Sequence, residues 1–555
     1  MDKRFARLLA ISLFSTAIAL AQPVINLATS TAVVRGNGLA GSGIAQGSIF
    51  SIYGTGLGPS QGVGASFPLP TTLGGASGSS VAVTVGGTHV DAIMLYASNY
   101  QINAILPSTT PIGSGTFAVT YNGQASAPAP IQVVASTFGI YTFSEQGNGQ
   151  AIATDLSYNV NTIIHTFHPG DYVTLWGTGL GAIHASDADY APVGNVGSVT
   201  VYVGNAAASN VLYWGRAPDF AGLDQIDFQI PQGVTGCYVP VAVQTGGVSG
   251  NIGNFTTIAV SDSGSTCSDS VMGQDLVNDL AAGQTVDFGY IRLESWVAQY
   301  ISGSAGTGSY DLGFATFSEY TPATAGLAEY GVSSGYCEAV DCSEYCGTVM
   351  DSTDNLADSS AAQLDAGAAL SVEYPVVSMT QEQSGGGFYY GFLSNAGRYL
   401  YSDFTYPVVG TGGTAVGAFT ATDITGGATL FLTGINNAQT VPLSADLTLE
   451  WTGGDPTLQN GQITIYAQSL NQTGTNFQFA FVQCTAPLAA QKFTIPAWVL
   501  ATLPVSGTGG TVPYTYPEGW IQLGQYNKPV TFSAPGLNKG IITDIFYNGK
   551  GVYFQ

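Results

Sequence analysis

Apolar and polar residues alternate in short stretches along most of the chain. Examples are VAVTV at residues 81–85 and IDFQI at residues 226–230. A period of two places successive side chains on opposite faces of a strand, so that one face is buried and the other is solvated. Helical spacing of apolar residues is confined to residues 271–282. The pattern predicts an all-β protein built from strands and turns.

Three landmarks occur twice, in the same order and about 120 residues apart. The pairs are IYGTGLG (52–58) and LWGTGLG (175–181), VTVGG (83–87) and VYVGN (201–205), and QINAILP (101–107) and QIDFQIP (225–231). A shared order at a nearly constant offset indicates a duplicated module. Each copy holds about seven short strands, which favours a two-sheet sandwich.

The glycine-rich landmark has two interpretations. Residues 54–58 could cradle a phosphate, but such loops lead into a helix N-terminus, and here Pro59 and a Gly/Ser-rich stretch follow. Neither copy contains the lysine of a P-loop. Glycine readily adopts positive φ, and the preceding Tyr53 or Trp176 would pack under a turn. We therefore interpret both copies as structural turns.

Together with APDFAGL at residues 217–223, these landmarks resemble the paired domain of exported acidobacterial, Solibacter-type proteins. That domain is similar to IPT/TIG immunoglobulin-like modules. The resemblance covers residues 23–261 and implies a sandwich fold and a secreted or cell-surface location. It transfers no catalytic residues, because that family has no established activity.

From residue 285 the pattern is again one of strands and turns, and residues 395–399 resemble the closing segment of secreted jelly-roll and sandwich domains. The predicted division is a signal peptide (1–21), two IPT/TIG-like modules (22–136 and 137–261), a linker with a short helix (262–284), a β-rich domain (285–415), an immunoglobulin-like sandwich (416–504) and C-terminal strands that could complete the 285–415 domain (505–555). The predicted fold class is all-β, with tandem immunoglobulin-like β-sandwiches followed by a C-terminal β-sandwich or jelly-roll-like region.

The first 21 residues have the layout of a cleavable secretory signal. Basic residues at positions 3, 4 and 7 precede an apolar stretch, and Ala-Leu-Ala follows at 19–21. No later stretch approaches the roughly 20 apolar residues that cross a bilayer as a helix. We expect a mature chain that starts at Gln22, has no membrane span, and is secreted, surface-attached or periplasmic.

Composition narrows the set of partners. Only 8% of the residues are charged, and the formal net charge is −24. Nucleic-acid backbones are bound by clustered Lys and Arg, and this chain has only 11 such residues, three of them within the predicted signal peptide. Nucleic acid is therefore not an expected partner. An extracellular glycan or a surface protein is expected instead.

Cysteines in an exported chain indicate disulfides. The six are Cys237, Cys267, Cys337, Cys342, Cys346 and Cys484. Cys237 lies in one predicted strand and Cys267 follows the next, so this pair is the predicted bridge of the second module. One member of the crowded loop at 337–346 is expected to reach Cys484. A metal or iron–sulfur site is the alternative for that loop, but Cys-x-x-Cys spacing and a nearby histidine are both missing.

Catalytic chemistry is sparse in the sequence. The four histidines, which are not at zinc-site spacing, are interpreted as surface or turn residues. A glycoside hydrolase needs two carboxylates about 5 to 10 Å apart. The carboxylates considered for that role are Glu294, Glu319, Glu338, Asp341, Glu344 and Glu373. Sequence spacing brings no two of them together, so no catalytic residue is assigned and no cofactor is expected.

Two weaker candidate sites remain. Asp351, Asp354 and Asp358 could ligate calcium, although their spacing lacks the glycine and the terminal glutamate of an EF-hand loop. Exposed aromatic rings could stack on sugars. The candidates are Tyr389, Tyr390, Tyr399 and Tyr401, with Tyr406 and Trp296. The alternative is that these rings are core residues, because about half of the aromatics in a strand must face the core.

These observations favour a non-enzymatic structural or adhesion-type protein. In this hypothesis the module pair is a spacer or stalk, and the C-terminal half recognises an extracellular ligand. The alternatives are an extracellular carbohydrate-binding protein and a polysaccharide-degrading enzyme.

Overall fold

The computed structural model describes residues 22–555 with several gaps. The gaps are residues 31–42, 76, 191–193, 249–250, 269–270, 300–306, 329–330, 342–360, 374–375, 383–385, 395–398, 402–403, 423–429, 456–457, 459–460, 474–475 and 512–513. The predicted signal peptide therefore lies outside the described residues. The described part is mostly β-strand, as the alternation of apolar and polar residues predicted.

The first module is a sandwich of two sheets. Its strands are β1 (Val24–Ser30), β2 (Ile44–Ala45), β3 (Ile49–Thr55), β4 (Val63–Gly64), β5 (Thr72–Leu73), β6 (Ser79–Val85), β7 (Thr88–Asp91), β8 (Ile93–Ala97), β9 (Gln101–Ile105), β10 (Gly113–Tyr121), β11 (Gln124–Ala125) and β12 (Ala129–Val134). One sheet has the order β1-β3-β9-β8-β4 and the other β2-β12-β10-β6-β5. The alternate valines of β6 are buried between the sheets, against Ile102 and Phe117.

The second module repeats this arrangement. Its strands are β13 (Gly139–Ile140), β14 (Ala153–Asp155), β15 (Tyr172–Thr178), β16 (Val199–Val203), β17 (Ala206–Ala207), β18 (Val211–Arg216), β19 (Asp224–Gln229), β20 (Gly236–Thr245) and β21 (Ile252–Val260). Strand β15 pairs with β19 as β3 pairs with β9, and β16 pairs with β20 as β6 pairs with β10. The duplicated landmarks therefore occupy equivalent strands of two sandwiches.

The C-terminal region begins with a short helix and continues as strands. Its helices are α1 (Gln274–Ala281), α2 (Ala497–Leu500) and the 3-10 turns Pro322–Leu327 and Leu488–Ala490. Its strands are β22 (Val286–Gln299), β23 (Thr307–Tyr320), β24 (Cys337–Asp341), β25 (Ala362–Gln363), β26 (Ala369–Val372), β27 (Val377–Gln381), β28 (Phe388–Ser394), β29 (Pro407–Gly410), β30 (Phe419–Thr422), β31 (Leu430–Thr433), β32 (Gln439–Val441), β33 (Leu447–Gly453), β34 (Gln462–Thr473), β35 (Asn476–Pro487), β36 (Lys492–Ile495), β37 (Thr508–Thr511), β38 (Tyr514–Pro517), β39 (Gly519–Tyr526), β40 (Val530–Phe532) and β41 (Lys539–Phe554).

One large sheet runs through this region in the order β24-β35-β34-β39-β41-β22-β23-β28-β27-β26-β29-β30. The expectation of a separate sandwich at residues 416–504 is corrected by the structure. Strands β34 and β35 lie in the same sheet as β22 and β23, and β30 pairs with β29 across residue 416. Among the described strands of that range, only β31, β33 and β36 form a sheet that lies wholly within it. The boundary was misplaced because β34 enters the large sheet through β39, a strand outside residues 416–504 and far from β34 in sequence.

The large sheet is strongly curved. Strands β39 and β41 lie between β34 and β22, which would set the outer two about 14 Å apart in a flat sheet. The rings of Tyr466 and Trp296 on those strands are nevertheless 5.4 Å apart between centroids. Gly524 permits this, because a Cβ there would collide with the ring of Tyr547. The concave face therefore encloses an aromatic cluster around Trp296.

Candidate functional site

The glycine-rich turn of the first module is a packing element. Leu57 is buried, its N–H donates to the carbonyl of Asn99 at 3.1 Å, and its own carbonyl accepts from Ser79 Oγ at 2.8 Å. A Cβ at Gly54 would collide with the carbonyl of Val24. These contacts are those of a turn fixed against its own module, which fits the structural interpretation.

The equivalent turn of the second module holds a carboxylate from its own chain. The N–H groups of Gly179 and Leu180 donate to Oδ2 of Asp224 at 2.7 and 2.8 Å. Oδ1 of Asp224 accepts from Nη1 of Arg216. Both charged side chains are buried, with exposed fractions of 0% and 1%. The amides that could bind an external anion are therefore already paired with Asp224.

Arg216 also joins the two modules, at what we call the first joint (Gly47, Ser108, Asp187, Arg216 and Asp224). Its Nη2 donates to the carbonyl of Gly47 in the first module and to that of Gly181 in the second, each at 2.9 Å. Gly47 has φ +69°, and a Cβ there would collide with the guanidinium. Asp187 adds a second cross-module contact, because its carboxylate accepts from the N–H and Oγ of Ser108 at 2.7 and 2.8 Å.

The second joint connects the second module to the C-terminal region through aromatic contacts. The ring of Trp498 in α2 stacks on Tyr202 at 3.8 Å and on Phe255 at 5.6 Å between centroids. Phe255 belongs to the same buried cluster as residues of β34 and β35. Alongside the rings, Tyr238 N–H donates to Ser333 Oγ at 2.8 Å, and Ser333 N–H donates back to the Tyr238 carbonyl at 3.0 Å.

Two disulfides lie near the second joint. Cys237 is bonded to Cys267, which is the pair that the sequence predicted. Cys484 is bonded to Cys337, one of the three cysteines proposed for it. The other two, Cys342 and Cys346, lie outside the described residues.

A cavity of about 900 Å³ opens beside the second joint. Five neighbouring strands of the large sheet, β35, β34, β39, β41 and β22, each contribute a lining side chain from the concave face. They are Thr485, Gln462, Tyr526, Thr543 and Tyr290. The other lining residues include Tyr238 of the second module, Ser268 after that module, and Ser333 and Ser334 before β24. The cavity is thus formed only where the second module meets the curved sheet.

Charged and polar side chains continue along the concave face behind this cavity. Nε of Arg292 lies 2.7 Å from Oε1 of Glu294, whose Oε2 accepts from Nε1 of Trp296 at 2.8 Å. The ring of Trp296 stacks on Tyr547 at 3.7 Å. All four side chains are buried. Glu294 is therefore engaged by a cation and an indole rather than exposed to a substrate.

The other carboxylates proposed for hydrolysis are dispersed. Glu338 is buried on β24, and burial raises the pKa of its carboxyl to about 7. Glu319 and Glu373 lie on β23 and directly after β26, and both are partly exposed. Asp341 ends β24, and Glu344 lies outside the described residues. Within the described residues, no group of three or more His, Cys, Asp and Glu side chains forms a metal-binding cluster.

The predicted stacking platform is not present as proposed. Tyr389 is fully buried, and its hydroxyl donates to the carbonyl of Gly367 at 2.7 Å. Tyr390 and Tyr399 are partly buried, and Tyr401 is 45% exposed. Tyr406 and Trp296 are also buried. Because neighbouring positions of a strand face opposite sides, Tyr389 and Tyr390 cannot share one surface. The calcium candidates Asp351, Asp354 and Asp358 lie outside the described residues.

Comparison with known domains identifies the first module. Residues 40–134 match the family model of the IPT/TIG domain. The match ends at the last residue of β12, so this IPT/TIG domain coincides with the body of the first sandwich. No curated protein matches the chain. The resemblance to exported acidobacterial proteins stays a prediction.

Several solved structures of tandem domains are distantly similar to the chain. Domains 5–6 of the S-layer protein SbsC are 14% identical over 44% of this chain and 100% of that one, with a TM-score of 0.16. Domains 4–9 of SbsC are 12% identical over 96% of this chain and 84% of that one, with a TM-score of 0.17. The eight N-terminal Ig domains of Down Syndrome Cell Adhesion Molecule are 8% identical over 94% of this chain and 57% of that one, with a TM-score of 0.13. Similarity this low does not extend the domain assignment beyond residues 40–134.

Among the residues that the structure describes, none of the helices is long and apolar enough to cross a bilayer.

The sequence analysis missed Arg216 and Asp224, the residues that fix the first joint. Their signal was present, because a lone arginine near an aspartate is conspicuous in a chain with only 8% charged residues.

Proposed function

We propose that this protein is an extracellular, non-enzymatic structural or adhesion-type protein. In this proposal the IPT/TIG domain and the second module form a stiff spacer that holds the C-terminal region at a fixed orientation. The first joint is the observation that carries the proposal. A buried guanidinium that contacts carbonyls of both modules fixes their relative orientation, because rotation would break its hydrogen bond to the Gly47 carbonyl.

An extracellular location is supported by the disulfides, which persist in oxidising compartments. The predicted signal sequence supports it independently. An antiserum against the mature chain should label intact source cells or recover the protein from the medium. Recovery from the cytosol alone would contradict the proposal.

Stiffness is testable by small-angle X-ray scattering on the mature chain. We expect one conformer to fit the wild-type profile, and Arg216→Ala to require a broader distribution of shapes. Lys492→Ala, an exposed basic residue away from the first joint, is the matched control and should scatter like the wild type. A wild-type profile that already needs many module orientations would overturn the spacer role.

The alternative function, a polysaccharide-degrading enzyme, predicts a different experimental result. The engaged Glu294 and the dispersed carboxylates support a protein without hydrolytic activity. We expect no new reducing ends from a broad panel of polysaccharides. Hydrolysis that is lost in Glu338→Gln and kept in Asp262→Asn, an exposed control, would instead establish a polysaccharide-degrading enzyme.

A further inference from the structure

We propose that the cavity beside the second joint is a binding site for a short saccharide. This goes beyond the spacer role and does not rest on it, because the cavity is local to the second module and the large sheet. The cavity volume of about 900 Å³ lies in the range typical of ligand sites, roughly 300 to 1,000 Å³.

The chemistry of the lining favours a polyhydroxylated ligand. The described lining residues include hydroxyls and amides from Ser333, Ser334, Thr485, Gln462 and Asn527, and no Asp or Glu is among them. Sugar hydroxyls both donate and accept, so they match a wall of hydroxyl and amide groups. An apolar peptide would desolvate these polar groups without offering them hydrogen bonds.

Three tyrosines add apolar surface to the lining. Tyr526 on the concave face is partly exposed, whereas Tyr290 on the same face and Tyr238 of the second module are only 3% and 4% exposed. Tyr526 is therefore the ring that can offer a face and a hydroxyl to a pyranose, which has apolar C–H faces and polar edges. These are not the tyrosines that the sequence analysis proposed. The sheet pairing of distant strands, rather than local alternation, brings Tyr290 and Tyr526 together.

A buried amide behind the lining is a second, independent observation. Gln483 is 1% exposed, and its Oε1 accepts from the Tyr466 hydroxyl at 3.1 Å. Its Nε2 has no hydrogen-bond partner among the described residues. A Cβ at the lining residue Gly331 would lie only 3.9 Å from this nitrogen. An unpaired buried donor directly behind the wall is stabilised by an acceptor that enters the cavity.

The charges in and around the cavity affect which saccharides it can bind. Lys528 is an exposed residue of the lining, and the chain as a whole carries a formal charge of −24. A carboxylate-bearing sugar is repelled by most of this surface but is attracted at Lys528. One exposed ammonium is too little for a polyphosphate, which needs several donors or cations.

The test is isothermal titration calorimetry on the mature chain with cellohexaose, xylohexaose and hexagalacturonate. We expect one-to-one binding of at least one of these probes. Ser334→Trp places a ring at the exposed mouth and should weaken binding at least about tenfold. Ser157→Trp, at an exposed turn of the second module, is the matched control and should leave binding unchanged.

Two further variants allow the inference to be tested in other ways. If Ser334→Trp fails to fold, Gln462→Ala replaces it, with an expected loss of about fivefold. Lys528→Gln should weaken hexagalacturonate alone, by about threefold. Absence of binding by all three probes at millimolar concentration, or binding that is unchanged in whichever of the Ser334→Trp and Gln462→Ala variants is used, overturns the inference. Either outcome leaves the scattering test of the spacer role unaffected.

Discussion

At the first joint a buried arginine contacts both modules, whereas at the second joint a tryptophan ring stacks on two aromatic rings of the second module. The polar joint depends on a few directional contacts among groups that cannot be left unpaired. The aromatic joint depends on buried area and on disulfide-linked strands nearby. The polar joint should therefore be sensitive to single substitutions, and the aromatic joint should weaken gradually.

The largest effect should come from the disulfide that crosslinks the core of the C-terminal region. Cys337 and Cys484 are 147 residues apart, so in the chain-entropy model their bond stabilises the fold by about 5 kcal/mol. We expect Cys337→Ala/Cys484→Ala to lose about that much in urea unfolding. Cys237→Ala/Cys267→Ala is the matched control, with a separation of 30 and an expected loss of about 3.5 kcal/mol. Equal losses would contradict the loop-length explanation.

Arg216→Ala should cost about 4 kcal/mol, because it leaves the Asp224 carboxylate buried beside an empty volume. Urea unfolding of the mature chain measures the loss. In Arg216→Ala/Asp224→Ala the combined loss should fall short of the sum of the single losses, since the unpaired charge is gone. Additive losses would show that the two side chains do not act as a pair.

Trp498→Ala should lower the free energy of unfolding by about 2 kcal/mol, which is less than the loss for Arg216→Ala. It removes a partly buried ring and leaves no buried charge without its partner. Trp498→Phe retains a stacking ring and should cost under about 1 kcal/mol. The same unfolding measurement applies to both variants. A loss for Trp498→Ala that exceeds the loss for Arg216→Ala would reverse the ranking of the joints.

Substitution of Asp365 is expected to change stability the least. Its carboxylate contrasts with the buried carboxylate of Asp224. Backbone N–H groups of Thr414 and Gly367 hold the pKa of its carboxyl at about 2, below its ordinary value of 3.8. Because the folded pKa is the lower one, the stabilisation is present above pH 4 and is lost as the pH falls towards 2. Asp365→Asn should lower stability by under about 1 kcal/mol at neutral pH, and the difference from wild type should shrink in acid.

Thermal unfolding between pH 2 and pH 7 measures this dependence. Asp262→Asn, at an exposed position, serves as the control and should track the wild type throughout. A constant difference between Asp365→Asn and wild type across this range would argue against the assigned hydrogen bonds.

Local pattern predicted the strands of both modules and failed for the arrangement of the C-terminal region. Alternation in β6 and β19 is visible in the sequence, and the buried faces follow it. The antiparallel pairing of β34 with β39 joins Ile463 to Gln525, and no signal within a short window encodes such a partner. The misplaced boundary at residue 416 has this cause.

The candidate sites show the same limit. Alternation indicates that Tyr389 and Tyr390 face opposite ways, but not which of them faces the core. The pairing of Cys237 with Cys267 was predictable because Cys237 lies in one strand and Cys267 follows the next strand in sequence. The cavity was not predictable, because its walls come from the second module and from five strands whose order in the sheet only the fold reveals.

The Gly47–Arg216 contact also bears on how the protein can be dissected. Only residues 135–138 separate β12 from β13, and within them the Thr137 N–H donates to the Gly179 carbonyl at 2.9 Å. A protease meets no free linker there, and a fragment cut at that point would separate the guanidinium from the Gly47 carbonyl, one of its acceptors. The first two modules should therefore be expressed, crystallised and transplanted as one inseparable unit.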